Sequence, residues 1–218
     1  MRKLMLGMLI LAAGLSGASA GPNEGVVLSI QGNTTGGPIT EPCLTITLPE
    51  SCENLDPSAL PDDHDVEWFL VVVVSPAANA PNFDSITFGI GDYNTGDAYI
   101  SYNGTCIPGA GWSFTGAWPL PGSGIEITWD PGCTSSDYLF PAFYFGVYVY
   151  APATIPLTPH PSEPSGVTDC SEDSVFDPFE GFGAMGCGGE PGYNPPCPDI
   201  EPTPIKRTTW GNIRSIYR

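Results

Sequence analysis

Apolar and polar positions between residues 21 and 161 fall into short blocks closed by Gly and Pro, the signature of strands joined by turns. Val66 to Ser75 (VEWFLVVVVS) is nearly continuous in apolar character, which predicts a central strand buried on both faces. Its β-branched run and the bracketing Pro61 and Pro76 favour strand over helix. Ala142 to Ala151 alternates strictly. Phe143, Phe145, Val147 and Val149 form an inward row, and Tyr144, Tyr148 and Tyr150 an outward one. Phe83 to Tyr93 and Gly124 to Trp129 alternate in the same way. Gly25 to Ile30, Asp97 to Tyr102 and Thr154 to Leu157 read as shorter strands. Cys43 to Leu48 places Leu44, Ile46 and Leu48 on one face and is read as a half-buried strand. Asn103 to Ser123 reads as loop, with Trp112, Phe114 and Trp118 embedded in it. Seven or eight strands at this rhythm predict an all-β, antiparallel β-sandwich of immunoglobulin-like or jelly-roll type over 21–161.

The pattern changes after Pro161. Residues 162–198 are rich in Gly, Pro and Cys and are expected to form a disulfide-braced irregular extension. A linker follows over 199–207, opening with the Pro-rich run Asp199 to Pro204. Residues 208–218 predict a short tail helix. Thr208 or Thr209 serves as its cap, Trp210, Ile213 and Tyr217 share one face, and Arg214 and Arg218 lie at the C-terminal end, where the helix dipole favours cations. A helix this short needs a surface to fold against.

At the other end, Arg2-Lys3, the apolar run Leu4 to Leu15 and Ala18-Ser19-Ala20 have the order of a signal peptide, 1–20, cleaved before Gly21. The apolar run is too short to span a bilayer, and no later stretch is apolar enough to do so. An exported, extracellular or cell-surface protein is expected. Export makes disulfides the default for the seven cysteines. Sequence neighbours suggest Cys43 with Cys52, Cys106 with Cys133, and one pair among Cys170, Cys187 and Cys197, although spacing does not fix connectivity.

Charge narrows the partners. All 24 acids lie between Glu24 and Glu201, residues 4–205 contain no Lys or Arg, and the tail holds four cations, so the mature chain carries a net charge of −20. Nucleic acid, anionic membranes and anionic substrates are excluded by this balance. Cations, neutral glycans and basic protein surfaces remain.

Within Asp169 to Glu180, oxygen-bearing side chains fall at EF-hand offsets: Asp169, Ser171, Asp173, Asp177 and Glu180. Calcium is the cofactor this spacing would take, although Ser174 stands at the usual Gly position and Pro178 at the tenth. Asp62-Asp63-His64-Asp65 is a second acidic cluster with ligand character. There is no zinc-type CxxC pair and no G-x-S-x-G nucleophile elbow. The outward Tyr144, Tyr148 and Tyr150 row suits a glycan or protein surface.

The tail matches a T-W-G-x-I-K/R-x-x-Y/F-R pattern at Thr209, Trp210, Gly211, Ile213, Arg214, Tyr217 and Arg218. In this it resembles uncharacterised secreted proteins of Gram-negative bacteria. Gly21-Pro22-Asn23 after the leader, Trp118 to Trp129 and Gly192 to Pro198 resemble segments of such proteins too. The strand rhythm is similar to that of cohesin-like and carbohydrate-binding sandwiches. The resemblance implies an exported bacterial protein and brings no activity. The expectation is a secreted, non-catalytic binding or cell-surface protein with a C-terminal docking or sorting peptide. A carbohydrate-binding module and a secreted carboxylate-dependent hydrolase are the alternatives.

Overall fold

The computed structural model describes residues 21–76, 82–129 and 138–198. The expected signal peptide, Cys133, the linker and the tail helix with Trp210, Ile213, Arg214, Tyr217 and Arg218 lie outside these residues. Among the described residues eleven strands form the fold: β1 (Val27–Gly32), β2 (Val66–Val74), β3 (Phe83–Ile90), β4 (Ala98–Thr105), β5 (Gly111–Thr115), β6 (Gly124–Thr128), β7 (Leu139–Val149), β8 (Ala153–Thr158), β9 (Gly166–Asp169), β10 (Phe176–Pro178) and β11 (Ala184–Cys187). One antiparallel sheet runs β1-β2-β7-β4. The other runs β10-β9-β3-β6-β5, with β8 paired to the end of β3 and β11 paired to β8. The chain is thus an all-β sandwich.

Period-two alternation sorts the strands into two cores. Phe69, Val71 and Val73 of β2 face the second sheet and pack with Phe88, Ile125, Ile127, Phe143 and Phe145. The intervening Trp68, Leu70, Val72 and Val74 point the other way, yet they too are buried. Their cover is a strap, residues 33–62, that lays Ile46 and Leu55 against the outer face of the first sheet. Each aliphatic side chain so covered contributes about 1.5–3 kcal/mol.

The strap corrects the strand expected over Cys43 to Leu48. Pro42–Thr45 forms one helical turn, α1, with Pro42 in its first turn. The Thr45 and Ile46 N–H groups donate back to the carbonyls of Glu41 and Pro42. Proline at this position is pre-set for helix. Leu44, expected inside, is 81% exposed, whereas Ile46 is buried.

The disulfide pairing is also corrected. Cys43 bonds Cys106 just beyond β4, with Cα atoms 5.3 Å apart, and Cys52 bonds Cys197, at 5.9 Å. The strap lies across the sheet, so its cysteines meet residues distant in sequence and not each other. Cys170 is also disulfide-bonded, and Cys187 is a free thiol in the core.

Residues 162–198, expected to be irregular, close the sandwich instead. Strand β9 joins β3, and Val167, Phe179, Met185 and Cys187 enter the main core. Gly181 to Gly183 bond the backbone of Leu28 on one side and of Leu157 on the other, bridging the two sheets. The Asn194 side chain accepts from Ile30 N–H at 2.7 Å and donates to Ile30 C=O at 2.9 Å, so an amide completes the ladder at the edge of β1. On the opposite side β5, expected as loop, is an edge strand. Its Trp112 ring reaches Phe143 across the open seam, and Trp118 fills the gap among Phe88, Phe143 and Phe145.

Replacing Cys52 and Cys197 together by Ser is expected to lower stability by roughly 2–5 kcal/mol in urea unfolding. Peptide mapping of the unreduced protein, with a protease cutting after Glu because the body has no Lys or Arg, should recover Cys43–Cys106 and Cys52–Cys197 as linked pairs.

Candidate functional site

Strand β2 starts where β7 ends: Val66 faces Tyr148 and Glu67 faces Val147 across the ladder. The turn after β11 reaches the same end of the sandwich, because Gly188 N–H donates to Glu67. Together they frame an open cleft of about 550 Å³, with Tyr148 and Tyr150 on one side, His64 and Asp65 on the other, and Glu67 and Gly188 between.

One carboxylate builds the His64 side. Asp62 Oδ1 accepts the backbone N–H groups of His64 at 2.8 Å and Val66 at 2.9 Å, and Oδ2 accepts the Trp68 indole N–H at 2.8 Å. Burial pushes the Asp62 carboxyl up, but these three donors outweigh it and hold the group below its ordinary value. The bonds wrap the chain tightly enough to put Asp65 at φ 60°, a left-handed conformation that Asp tolerates better than most residues. His64 Nδ1 sits 2.9 Å from Asp63 Oδ1 at the surface. Asp62, Asp63 and His64 bring three ligand atoms within 4.8 Å, the one such group among the described residues. The Asp62 oxygens are already occupied by N–H donors.

Glu67 was not foreseen as a site residue. It lies inside the apolar run that predicts β2, on the side facing between the sheets, and is 4% exposed. A Glu at an inward position of a central strand is itself the signal that finds it. Both its oxygens lie 3.1 Å from a single donor, Gly188 N–H. Burial raises its carboxyl, and that N–H only partly offsets the effect. Cys187 sits beside it; burial first, and then Glu67, pushes the thiol well above its ordinary value. The free cysteine is buried at 0% exposure, closed to reagents in solution.

The expected tyrosine row divides. Tyr144 and Tyr148 are half-buried against the outer core, and Tyr150 is 70% exposed. Tyr102 stacks on Trp68 with centroids 5.4 Å apart, and its hydroxyl lies 3.4 Å from that of Tyr148. The Trp68 ring lies over Gly146, where any Cβ would come within 2.8 Å of it. Tyr99, Tyr102 and Tyr150 are the exposed rings of this end.

Four of the five expected calcium ligands sit on the β9–β10 hairpin, and Glu180 lies beyond it. Asp169 Oδ1 accepts from Ser171 Oγ at 2.8 Å and Val175 N–H at 2.7 Å, which closes the turn. Asp177 faces away from that turn and accepts the N–H groups of Gly21 and Asn23. Ser171, Asp173 and Glu180 are exposed.

A second, smaller groove of about 280 Å³ crosses the outer face of the second sheet, between Ser113, Glu126 and His160. His160 Nδ1 accepts the N–H groups of Ser162 at 3.2 Å and Glu163 at 2.9 Å, so that nitrogen is engaged by its own loop.

No protein-family profile matches the chain, and no curated protein does. Among solved structures it is similar to the sixth cohesin of scaffoldin B from Acetivibrio cellulolyticus, solved in complex with a mutant Cel5 dockerin. The identity is 11%, the match covers 74% of this chain and 97% of that one, and the TM-score is 0.43. A likeness at that level carries no argument about function. Among the described residues no helix is long and apolar enough to cross a membrane.

Two substitutions probe the cleft. Asp62→Ala strands the Trp68 indole and two backbone donors and should cost roughly 2–4 kcal/mol in urea unfolding. Glu67→Gln should act through pH. The folded-state carboxyl is raised above 4.5, so its favourable contribution is complete below that pH and is lost as pH rises through the folded value. The variant should therefore gain stability relative to the native chain as pH rises above 4.5, measured as the difference in unfolding midpoints.

Proposed function

We propose that this is an exported, non-catalytic binding protein that engages a protein partner at the tyrosine-rimmed end of the sandwich, with Thr203 to Arg218 as a docking or sorting peptide. The observation that carries the reading is the cleft lined by exposed Tyr150, half-buried Tyr148 and the buried Glu67, with exposed Tyr99 and Tyr102 on β4 beside it, Tyr99 opposite Tyr148 in the ladder. Tyrosines offer contact area with little conformational entropy to lose and a hydroxyl for hydrogen bonding. An acidic body with no Lys or Arg between residues 4 and 205 favours a partner with a basic face.

The state of the polar groups supports a binding role over a catalytic one. Asp62, Asp169 and Asp177 accept backbone or indole N–H groups, and His160 Nδ1 is held by its loop. A neutral glycan is the second reading, favoured by the 70% exposure of Tyr150. It is the weaker one because Tyr102 covers Trp68 and is tilted 47° from Tyr148, so these rings do not share a plane.

Combining Tyr102→Ser with Tyr150→Ser is expected to weaken capture of a cell-surface or medium protein at least tenfold, with the fold unchanged by circular dichroism. Equal capture by native and variant chains would remove the tyrosine end as the binding face. Deleting Thr203 to Arg218 should redistribute the protein between cells and medium, and an unchanged distribution would remove the tail from the proposal.

A further inference from the structure

Asp177 is 3% exposed, and its carboxylate receives two N–H groups from the first described residues: Gly21 to Oδ1 at 3.0 Å and Asn23 to Oδ2 at 2.8 Å. A buried carboxylate ordinarily has a cation beside it. No Lys or Arg occurs between residues 4 and 205. We infer that the missing cation is made by processing: the chain is cut between Ala20 and Gly21, and the α-ammonium of Gly21 pairs with Asp177.

The chemistry is hydrolysis by a signal-peptidase-type protease. The C–N bond between Ala20 and Gly21 breaks, and water supplies a hydroxyl to the Ala20 carbonyl carbon and a proton to the Gly21 nitrogen. At neutral pH the new carboxyl loses its proton and the new amine binds one. The nitrogen that donates to Asp177 as a peptide N–H in the uncut chain donates from a charged group afterwards, at the same position. Hydrogen bonds to a charged partner are about twice as strong as neutral ones.

The first three mature residues each fit this seat. A Cβ on Gly21 would lie 2.3 Å from both Asp177 oxygens, so the position is restricted to glycine. Pro22 occupies the second position of a turn closed by Glu24 N–H to Gly21 C=O at 3.3 Å, where its fixed φ is favoured. Asn23 is fully buried. Its side chain accepts Asn82 N–H at 3.2 Å and donates to Asn82 C=O at 3.4 Å, clamping the terminus to the strand entry ahead of β3. The Gly-Pro-Asn start is thereby explained as a seat for a free terminus.

The inference rests on the export reading, and its test separates the two. The mature chain holds two amines, the Gly21 α-amine and the Lys206 side chain. Intact mass and N-terminal sequencing of the exported protein should give Gly21 as the first residue. Acylation at pH 7 should modify the Gly21 amine at least tenfold more slowly in the folded than in the urea-unfolded chain. Asp177→Asn should restore fast acylation at Gly21 and lower Tm by roughly 5–10 °C. An exported protein that starts elsewhere, or a Gly21 amine as reactive folded as unfolded, overturns the pairing and leaves export standing. A chain that keeps residues 1–20 in its final compartment overturns both. The rate comparison on the native chain needs no variant to fold.

Discussion

Strand β2 must be covered twice. Nine consecutive residues, Val66–Val74, are buried, and one sheet packing on another can cover only alternate ones. The second cover has to come from elsewhere in the chain, and the strap over residues 33–62 supplies it. From that requirement follow the helical turn at Pro42, the inward set of Ile46 and Leu55, and the two disulfides that join the strap to the β4 end and to Cys197. The strap then returns to β2 through the Asp62 turn, so the device that covers the sheet also builds one wall of the cleft.

A second constraint is the lack of cations. The buried carboxylates of Asp62, Glu67 and Asp169 meet N–H groups in place of guanidinium or ammonium groups. Asp62 has three donors and ionises more readily than usual, whereas Glu67 has one and is held the other way by burial. Two acids five residues apart thus shift in opposite directions because of donor count and burial. Asp169 and Asp177 also accept backbone N–H groups, from Val175 and from Gly21 and Asn23. The result is a body whose internal electrostatics are largely local and little dependent on long surface ion pairs.

The central elements were legible in the sequence because their patterns have a single reading. A continuous β-branched run such as Val71 to Val74 belongs inside a sheet, and the strict alternation of Phe143, Phe145 and Val147 with tyrosines fixes the faces of β7. Cys43 to Leu48 failed because its alternation was real but Pro42 ahead of it started a helical turn. Strands β5, β9, β10 and β11 are only three to five residues long and lie among Gly and Pro, so turn signals masked them. The disulfides join residues 63 and 145 positions apart, and nothing local announces such pairs. Of the cleft, Asp62 to Asp65 and the outward tyrosines were visible. Glu67 was hidden in the hydrophobic run that made β2 obvious, and its role depends on a turn more than a hundred residues later.

The strap has a bearing on where this chain remains soluble. It holds two of the cysteines that close only when thiols oxidise, and beneath it lie Leu70, Val72 and Val74, half of a β-prone apolar segment with a single charge. Lifting the strap would bare an apolar sheet face, and exposed apolar patches of this kind promote association. Oxidation therefore does more than add stability: it latches a shield over the stretch most prone to self-association. In a reducing compartment the shield is held by packing and by hydrogen bonds such as Gly32 N–H to Asp56 C=O, so this sequence ties its colloidal behaviour to the redox state of its surroundings.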